Sequence, residues 1–104
     1  MIYLHVTVQI HRGKMKEWTK IFEEHLLPAM KKHGQRLVGA WKTTVGPYDE
    51  VIDLYAFEDF VEFQKIREKL FKDPEIQKWL PIIYEITGEE VSKILVPLEY
   101  SEMK

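Results

Sequence analysis

The alternation of apolar and polar positions predicts a strand over residues 2–11. The apolar side of this strand carries Ile2, Leu4, Val6, Val8 and Ile10. The other side carries polar and ring-bearing side chains, among them Tyr3 and His5. One side of the strand is therefore expected to lie on a hydrophobic core, and the other side faces away from it.

A helical period replaces this alternation between residues 14 and 33. Apolar residues recur there at steps of three and four: Met15, Trp18, Ile21, Phe22, Leu26, Ala29 and Met30. Pro28 has no N–H to donate to the carbonyl of Glu24, so a kink is predicted near Glu24. Gly34 is well placed to cap the carboxyl end of the helix.

A β-hairpin is predicted next, with strands over residues 36–45 and 50–57 joined by the turn sequence GPYD. Trp41 projects from one side of its first strand. Tyr55 and Phe57 share one side of its second strand. The pattern leaves open which of these aromatic side chains faces a core.

The second half of the chain predicts further helices and a last strand. Asp59 caps a helix that runs to about Lys72, and Asp73 starts a short helix that Pro81 ends. The inner stripe of the longer helix is Phe60, Phe63, Ile66, Arg67 and Leu70. The stretch IIYEI that follows has no clear period, and residues 91–98 are predicted as the last strand.

The element order β-α-β-β-α-β predicts a ferredoxin-like α+β fold in a single domain, residues 1–104. Its four-stranded antiparallel sheet has both helices on one face and leaves the other face bare. That bare face carries residues such as Trp41 or Tyr55, and apolar patches of this kind mark interaction surfaces. We expect a second copy of the chain to cover it, as in a dimeric α/β barrel, giving a homodimer or a higher homo-oligomer.

Composition and charge exclude several classes of partner and site. A net charge of −2 gives no reason to expect nucleic-acid binding. The absence of cysteine excludes disulfide bonds and thiolate chemistry. No apolar run is long enough to span a membrane, and the first residues lack the pattern of a signal peptide. The cytoplasm is therefore the expected location.

Five short stretches, spread over nearly the whole chain, match the pattern of one known family. They are Gly13-Lys14, Leu37-Val38-Gly39-Ala40-Trp41, EVIDLYAF, DPEIQKWLP and SKILVPLEYS. Together they resemble the NIPSNAP family. The resemblance implies a dimeric ferredoxin-like α/β barrel and a biochemical function that is mostly unassigned. One departure is the first strand, where the family often has Glu-Leu-Arg and this chain has Leu4-His5-Val6, so no catalytic residue is carried over.

Asp53 is the most unusual residue of the sequence, because it places a carboxylate within an apolar strand. It either pairs with Lys42, His5 or an arginine, or acts as a general base with a raised pKa. The candidate catalytic residues are His5 and Asp53 in acid–base roles and Tyr55 as a group that orients a substrate. The histidines are spaced too widely to share a metal ion, and neither a metal nor a cofactor is expected.

Related dimeric α/β barrels hold ligands between the helices and the sheet, and the analogy extends to this chain only at the level of fold. The corresponding candidate ligand-binding residues are Trp18, Phe22, His25 and Tyr55, with a filled core as the alternative. The paired acids Glu89 and Glu90 are interpreted as solvated surface. The expected function is binding of a small apolar or aromatic molecule. The alternatives are a cofactor-poor monooxygenase or isomerase-like enzyme, and a protein–protein adaptor as among eukaryotic family members.

Overall fold

The computed structural model describes residues 1–104 and contains a four-stranded antiparallel sheet with helices packed on one face. The strands are β1 Ile2–Ile10, β2 Arg36–Lys42, β3 Glu50–Phe57 and β4 Thr87–Leu95. They are ordered β2-β3-β1-β4, so β1 and β3 are central and β2 and β4 are the edges. The predicted ferredoxin-like α+β fold is confirmed.

The first helical run contains a π-helical turn. It consists of α1 Met15–Ile21, the π-turn Phe22–Leu26 and α2 Leu27–Lys32. The N–H of Leu27 donates to the carbonyl of Phe22, five residues earlier. Pro28 explains this geometry, because it has no N–H for the carbonyl of Glu24 and a wider turn accommodates the missing bond. The predicted distortion is therefore where the sequence places it, and its form is a π-turn.

The second pair of helices departs from the sequence prediction at Pro81. The helices are α3 Phe60–Lys72 and α4 Pro74–Ile86, so α4 continues through Pro81 instead of ending there. An internal proline costs about 3 kcal/mol. Burial of Ile76, Ile83 and Ile86 on one side of α4 outweighs this cost, at about 2 kcal/mol for each side chain. Consequently β4 spans residues 87–95 and not the predicted 91–98.

The helix-covered face of the sheet carries the core and two polar residues of β3. In the register of the central strands, Leu4 lies opposite Tyr55 and Val6 opposite Asp53. Residues opposite each other in a sheet point to the same side. Tyr55 and Asp53 therefore lie under the helices, each with only 3% of its surface exposed.

The bare face of the sheet carries Tyr3, His5, Thr7, Trp41, Ile52, Leu54, Val91, Lys93 and Leu95. Trp41 is the large side chain here and is 54% exposed. Its ring folds down over Gly39, where an added Cβ would lie 2.4 Å from the ring. Of the two aromatic residues left open by the sequence, Trp41 is thus on the bare face and Tyr55 is not.

Two histidine–carboxylate pairs join α4 to the first helical run, and we call them the histidine clamp: His25–Glu75 and His33–Asp73. The ring nitrogens lie 2.8 Å and 2.7 Å from the carboxylate oxygens. The indole N–H of Trp79 also donates to Glu75, over 2.9 Å. The bond from His33 lowers the pKa of Asp73, and the bonds from Trp79 and His25 lower the pKa of Glu75.

Candidate functional site

A cavity of about 290 Å³ lies between the helices and the sheet. Its floor is formed by the helix-covered sides of β1 and β3, with Asp53 and Tyr55 as the polar residues there. Its walls come from the first helical run, α3 and α4. Hydrophobic side chains make up 13 of its 19 lining residues, so the walls of the cavity are mostly apolar.

The π-turn forms part of the cavity wall. Phe22, the first residue of the turn, stacks on Trp18 with ring centroids 5.4 Å apart, and both side chains line the cavity. The same two residues and Asp53 also line a second, more open groove of about 460 Å³ on the side of β2. The π-turn therefore lies between the cavity and this groove. Such irregular turns are frequent at functional sites.

Asp53 is a buried carboxylate without an ion pair. The hydroxyl of Tyr55 donates to its Oδ2 over 3.4 Å, which is a long hydrogen bond. Burial raises the pKa of Asp53 to about 6, an effect that the charge of Glu90 increases and the Tyr55 bond reduces. Asp53 therefore exchanges its proton near neutral pH, inside an apolar cavity.

Tyr55 keeps its proton throughout the physiological pH range. Burial raises the pKa of its hydroxyl well above the ordinary value, and the nearby charge of Asp53 adds to this. The hydroxyl is consequently a hydrogen-bond donor on the cavity floor. It is positioned to hold the carboxylate of Asp53 or to bind an oxygen of a ligand.

Arg67 enters the cavity wall from α3. Its guanidinium carbon lies 4.7 Å from the ring centroid of Phe71 and 5.9 Å from that of Phe63. Burial lowers the pKa of Arg67, although the charge of Glu90 opposes the effect. Arg67 is not among the candidate functional residues predicted from the sequence. The sequence feature that could identify it is a charged residue within the apolar stripe of a helix.

The mouth of the cavity opens along β4. Phe71, Tyr84, Glu90 and Ser92 line it and are exposed to solvent. Glu90 is exposed, as its interpretation as surface requires, but it also faces the cavity. That Glu90 faces the cavity is not predicted by interpreting Glu89 and Glu90 together as surface. As neighbours in a strand, the two residues point to opposite sides of the sheet.

The structure does not bring the predicted acid–base residues together as one group. Asp53 and Tyr55 are neighbours, but His5 pairs with Leu54 and Lys93 on the bare face of the sheet. The reason is the period of two in β1, because Val6 is the residue opposite Asp53 and His5 must point the other way. His5 therefore cannot reach Asp53 within one chain.

Three of the four predicted ligand-binding residues line the cavity: Trp18, Phe22 and Tyr55. His25 does not line it. Its ring stacks on Trp79 at a centroid distance of 4.1 Å and is bonded to Glu75 in the histidine clamp. The period of the helix places His25 near the apolar stripe, but it does not identify a carboxylate 50 residues later in the chain as its partner.

The ionisable groups do not form a metal site, since no three His, Asp or Glu side chains are arranged to hold an ion. None of the helices combines the length and the apolar character that crossing a membrane requires. The ionisable residues that line the cavity include Asp53, Tyr55, Arg67 and Glu90, within mostly apolar walls.

Comparison with solved structures places the chain among bacterial proteins of the same shape. A NIPSNAP domain protein from Burkholderia xenovorans is 29% identical, with a TM-score of 0.89 over 97% of this chain and 98% of that one. A NIPSNAP family protein from Agrobacterium tumefaciens is 26% identical, with a TM-score of 0.91 over 100% of this chain and 94% of that one.

More distant structures share the fold alone. A putative antibiotic biosynthesis monooxygenase from Nitrosomonas europaea is 11% identical, with a TM-score of 0.71 over 94% of this chain and 99% of that one. No curated protein sequence matches the chain. The family model of NIPSNAP matches residues 3–102, which confirms the resemblance seen in the sequence. The chain belongs to the NIPSNAP family.

Proposed function

We propose that this NIPSNAP protein binds a small, mostly apolar molecule in the cavity between its helices and its sheet. The observation that carries the proposal is the cavity itself, about 290 Å³ with predominantly hydrophobic walls. An engineered apolar cavity of about 150 Å³ takes up benzene. A molecule of about two fused rings is therefore a fitting occupant. The expected cytoplasmic location is part of the same proposal.

The test is binding of a neutral two-ring probe, 2-naphthamide, measured by calorimetry and by quenching of tryptophan fluorescence. Trp18 lies in the cavity wall and reports on an occupant. Ser92→Trp, at the cavity mouth, should weaken binding by about tenfold, because its indole fills the entrance. Lys93→Trp places the same ring on the bare face and should bind as the wild type does. Absence of binding, or equal binding by both variants, would contradict the proposal.

Acid–base catalysis is the second candidate function, and the pKa of Asp53, raised to about 6, favours it. In this reaction Asp53 takes a proton from the carbon next to a ligand carbonyl, and the electron pair moves to the carbonyl oxygen as an enolate. Tyr55 orients the substrate through its hydroxyl. His5 is left out, since it lies on the other face of the sheet.

Deuterium exchange of 2-tetralone in D₂O, followed by NMR, tests this second candidate. The wild type should exchange the protons next to the carbonyl faster as the pH rises through about 6, where Asp53 ionises. Asp53→Asn should show only the exchange rate of the buffer. Equal rates for the two proteins at every pH would exclude Asp53 as a base for this class of compound.

The bare face is the surface that supports the predicted dimer. Its exposed Trp41 lies beside Ile52 and Leu54, and a second copy of the same face would cover them. Sedimentation velocity at micromolar concentration should give twice the monomer mass of 12.5 kDa. Trp41→Glu should give a monomer, and Val45→Glu, in the hairpin loop and 93% exposed, should not. A monomeric wild type would overturn this part of the proposal.

A further inference from the structure

Arg67 is the one positively charged residue among those that line the cavity. Its guanidinium lies over the ring of Phe71, within 4.7 Å of the centroid, and forms no ion pair with a carboxylate. Partial burial lowers its pKa, because the cation has lost part of its hydration and the charge of Glu90 compensates for only part of that loss. Charges that lose hydration are usually paired, and Arg67 is partly buried at the cavity without an ion pair, so it is a candidate position for an anionic group.

The chemical group that fits an arginine in this position is a carboxylate. A guanidinium presents several N–H donors in a planar fork, and a carboxylate accepts two of them at once. Glu90 does not supply this partner, because its side chain is exposed at the cavity mouth and solvated. Asp53 does not supply it either, since it forms no ion pair with Arg67 and its hydrogen bond is to Tyr55.

We propose that the ligand is an apolar carboxylic acid whose carboxylate pairs with Arg67 while its rings or chain pack against Trp18 and Phe22. The inference rests on the proposed binding function and names the chemical class of the ligand. The proposed binding of a carboxylic acid differs from binding of apolar molecules in general, because it requires that the cavity prefer a negatively charged ligand over a neutral one.

The acidic residues of the cavity should weaken binding of an anionic ligand, which gives a second, independent test of the inference. The ionisable residues that face Arg67 across the cavity are Asp53 and Tyr55 from β3, Tyr84 from α4 and Glu90 from β4. The charges of Asp53 and Glu90 repel an anionic ligand. Removing either charge should therefore strengthen binding of a carboxylate, whereas it should weaken binding of a cation.

The experiment compares three probes that share one ring system and differ in charge: 2-naphthoate, 2-naphthamide and 2-naphthylmethylammonium. Calorimetry at pH 7.5 should give 2-naphthoate the tightest binding, about tenfold tighter than the amide. Arg67→Gln should remove this preference, so that the variant binds 2-naphthoate no tighter than the amide, and Arg67→Lys should restore part of it. Arg36→Gln, which changes an exposed arginine of β2, is the matched control and should change nothing.

Glu90→Gln keeps the inference testable if Arg67→Gln does not fold, because Glu90 is exposed. This variant should bind 2-naphthoate about threefold tighter than the wild type does. Equal binding of naphthoate and naphthamide would overturn the inference and leave the proposed binding function intact. Tightest binding of the ammonium probe would overturn it in favour of Asp53 and Glu90 as recognition groups. Failure of all three probes would contradict the proposed function itself.

Discussion

Asp53 and Asp73 are both buried carboxylates, with 3% and 6% of their surface exposed, yet their pKa values move in opposite directions. Asp73 accepts bonds from the ring of His33 and from the backbone N–H of Glu75, and these lower its pKa. Asp53 has only the long bond from Tyr55, so the loss of hydration dominates and its pKa rises.

The difference separates a structural carboxylate from one that is available to a ligand. The bonding capacity of Asp73 is used within the fold, where it caps α4 and holds the histidine clamp. Asp53 has unused capacity and lies beside an open cavity. Burial alone therefore does not mark a candidate functional acid, whereas burial with missing partners and an adjacent cavity does.

The largest effect is expected for Asp53→Asn, a gain of about 3 kcal/mol in the free energy of unfolding at pH 8. The pKa of Asp53 rises from its ordinary 3.8 to about 6, so the native state holds this proton to a higher pH than the unfolded chain does. Stability therefore falls as the pH rises from about 4 to about 6, and asparagine removes that fall. Urea unfolding at pH 8 and pH 5 should show a smaller gain at pH 5. A loss of stability at pH 8 would mean that Asp53 is as well partnered as Asp73.

The next effect is expected for Asp73→Ala, which should lower the midpoint of thermal unfolding by several degrees at pH 7. The variant loses the cap of α4 and leaves His33 without its partner. Because the pKa of Asp73 is lowered in the native state, its contribution is complete above the ordinary value of 3.8 and is lost as the pH falls below it. Circular dichroism at pH 7 and pH 3 should show a larger difference between the two proteins at pH 7 than at pH 3. Asp73→Asn keeps an oxygen for the cap and should lose less.

Gln35→Met extends the comparison of Asp53 and Asp73 to a buried polar group that lies away from the cavity. Gln35 has no exposed surface, and neither its amide nitrogen nor its amide oxygen has a hydrogen-bond partner. Replacing it by an apolar side chain of similar length should raise the unfolding free energy by about 1 kcal/mol. Binding of the naphthalene probes should stay unchanged. A loss of stability on urea unfolding would show that Gln35 has a partner in solution.

The smallest effect is expected for Glu68→Gln, which sets the baseline for an exposed carboxylate. Glu68 pairs with Lys72 one turn later on α3, over 3.3 Å, and both side chains are mostly exposed. Such pairs contribute about 0.3–0.5 kcal/mol and are weakened by salt. Urea unfolding should detect a loss no larger than this. A loss comparable to that of Asp73→Ala would remove the distinction between surface and buried acids in this protein.

Much of the fold is predictable from local pattern. The period of two in β1 and the cap at Asp59 give correct elements, because both depend on neighbouring residues alone. Pro81 misleads the prediction, since its local cost is outweighed by burial of Ile83 and Ile86 against elements distant in sequence. The bounds of α4 and β4 depend on that tertiary balance.

The candidate site is less predictable, because its members come together only through strand register and helix packing. The sequence identifies Asp53 and Tyr55 as unusual but groups them with His5, which the register of β1 places on the other face. Arg67 is visible in the sequence as a charge within an apolar stripe, yet its role depends on the cavity beside it. Periodicity can identify a charged residue at an apolar position, but it does not predict which residues or cavity that side chain contacts in the fold.

The junction of α4 and β4 directly connects a wall of the cavity to a strand that contributes to the bare face of the sheet. The helix ends at Ile86 and the strand begins at Thr87, with no loop between them, and the hydroxyl of Thr87 is bonded back to the carbonyl of Ile83. α4 is a wall of the cavity, and β4 carries Val91 to the bare face. A displacement of this wall would therefore act directly on the sheet edge, because no loop separates α4 from β4. If the proposed dimer and the proposed ligand are coupled through this junction, each must alter the affinity of the other by the same factor.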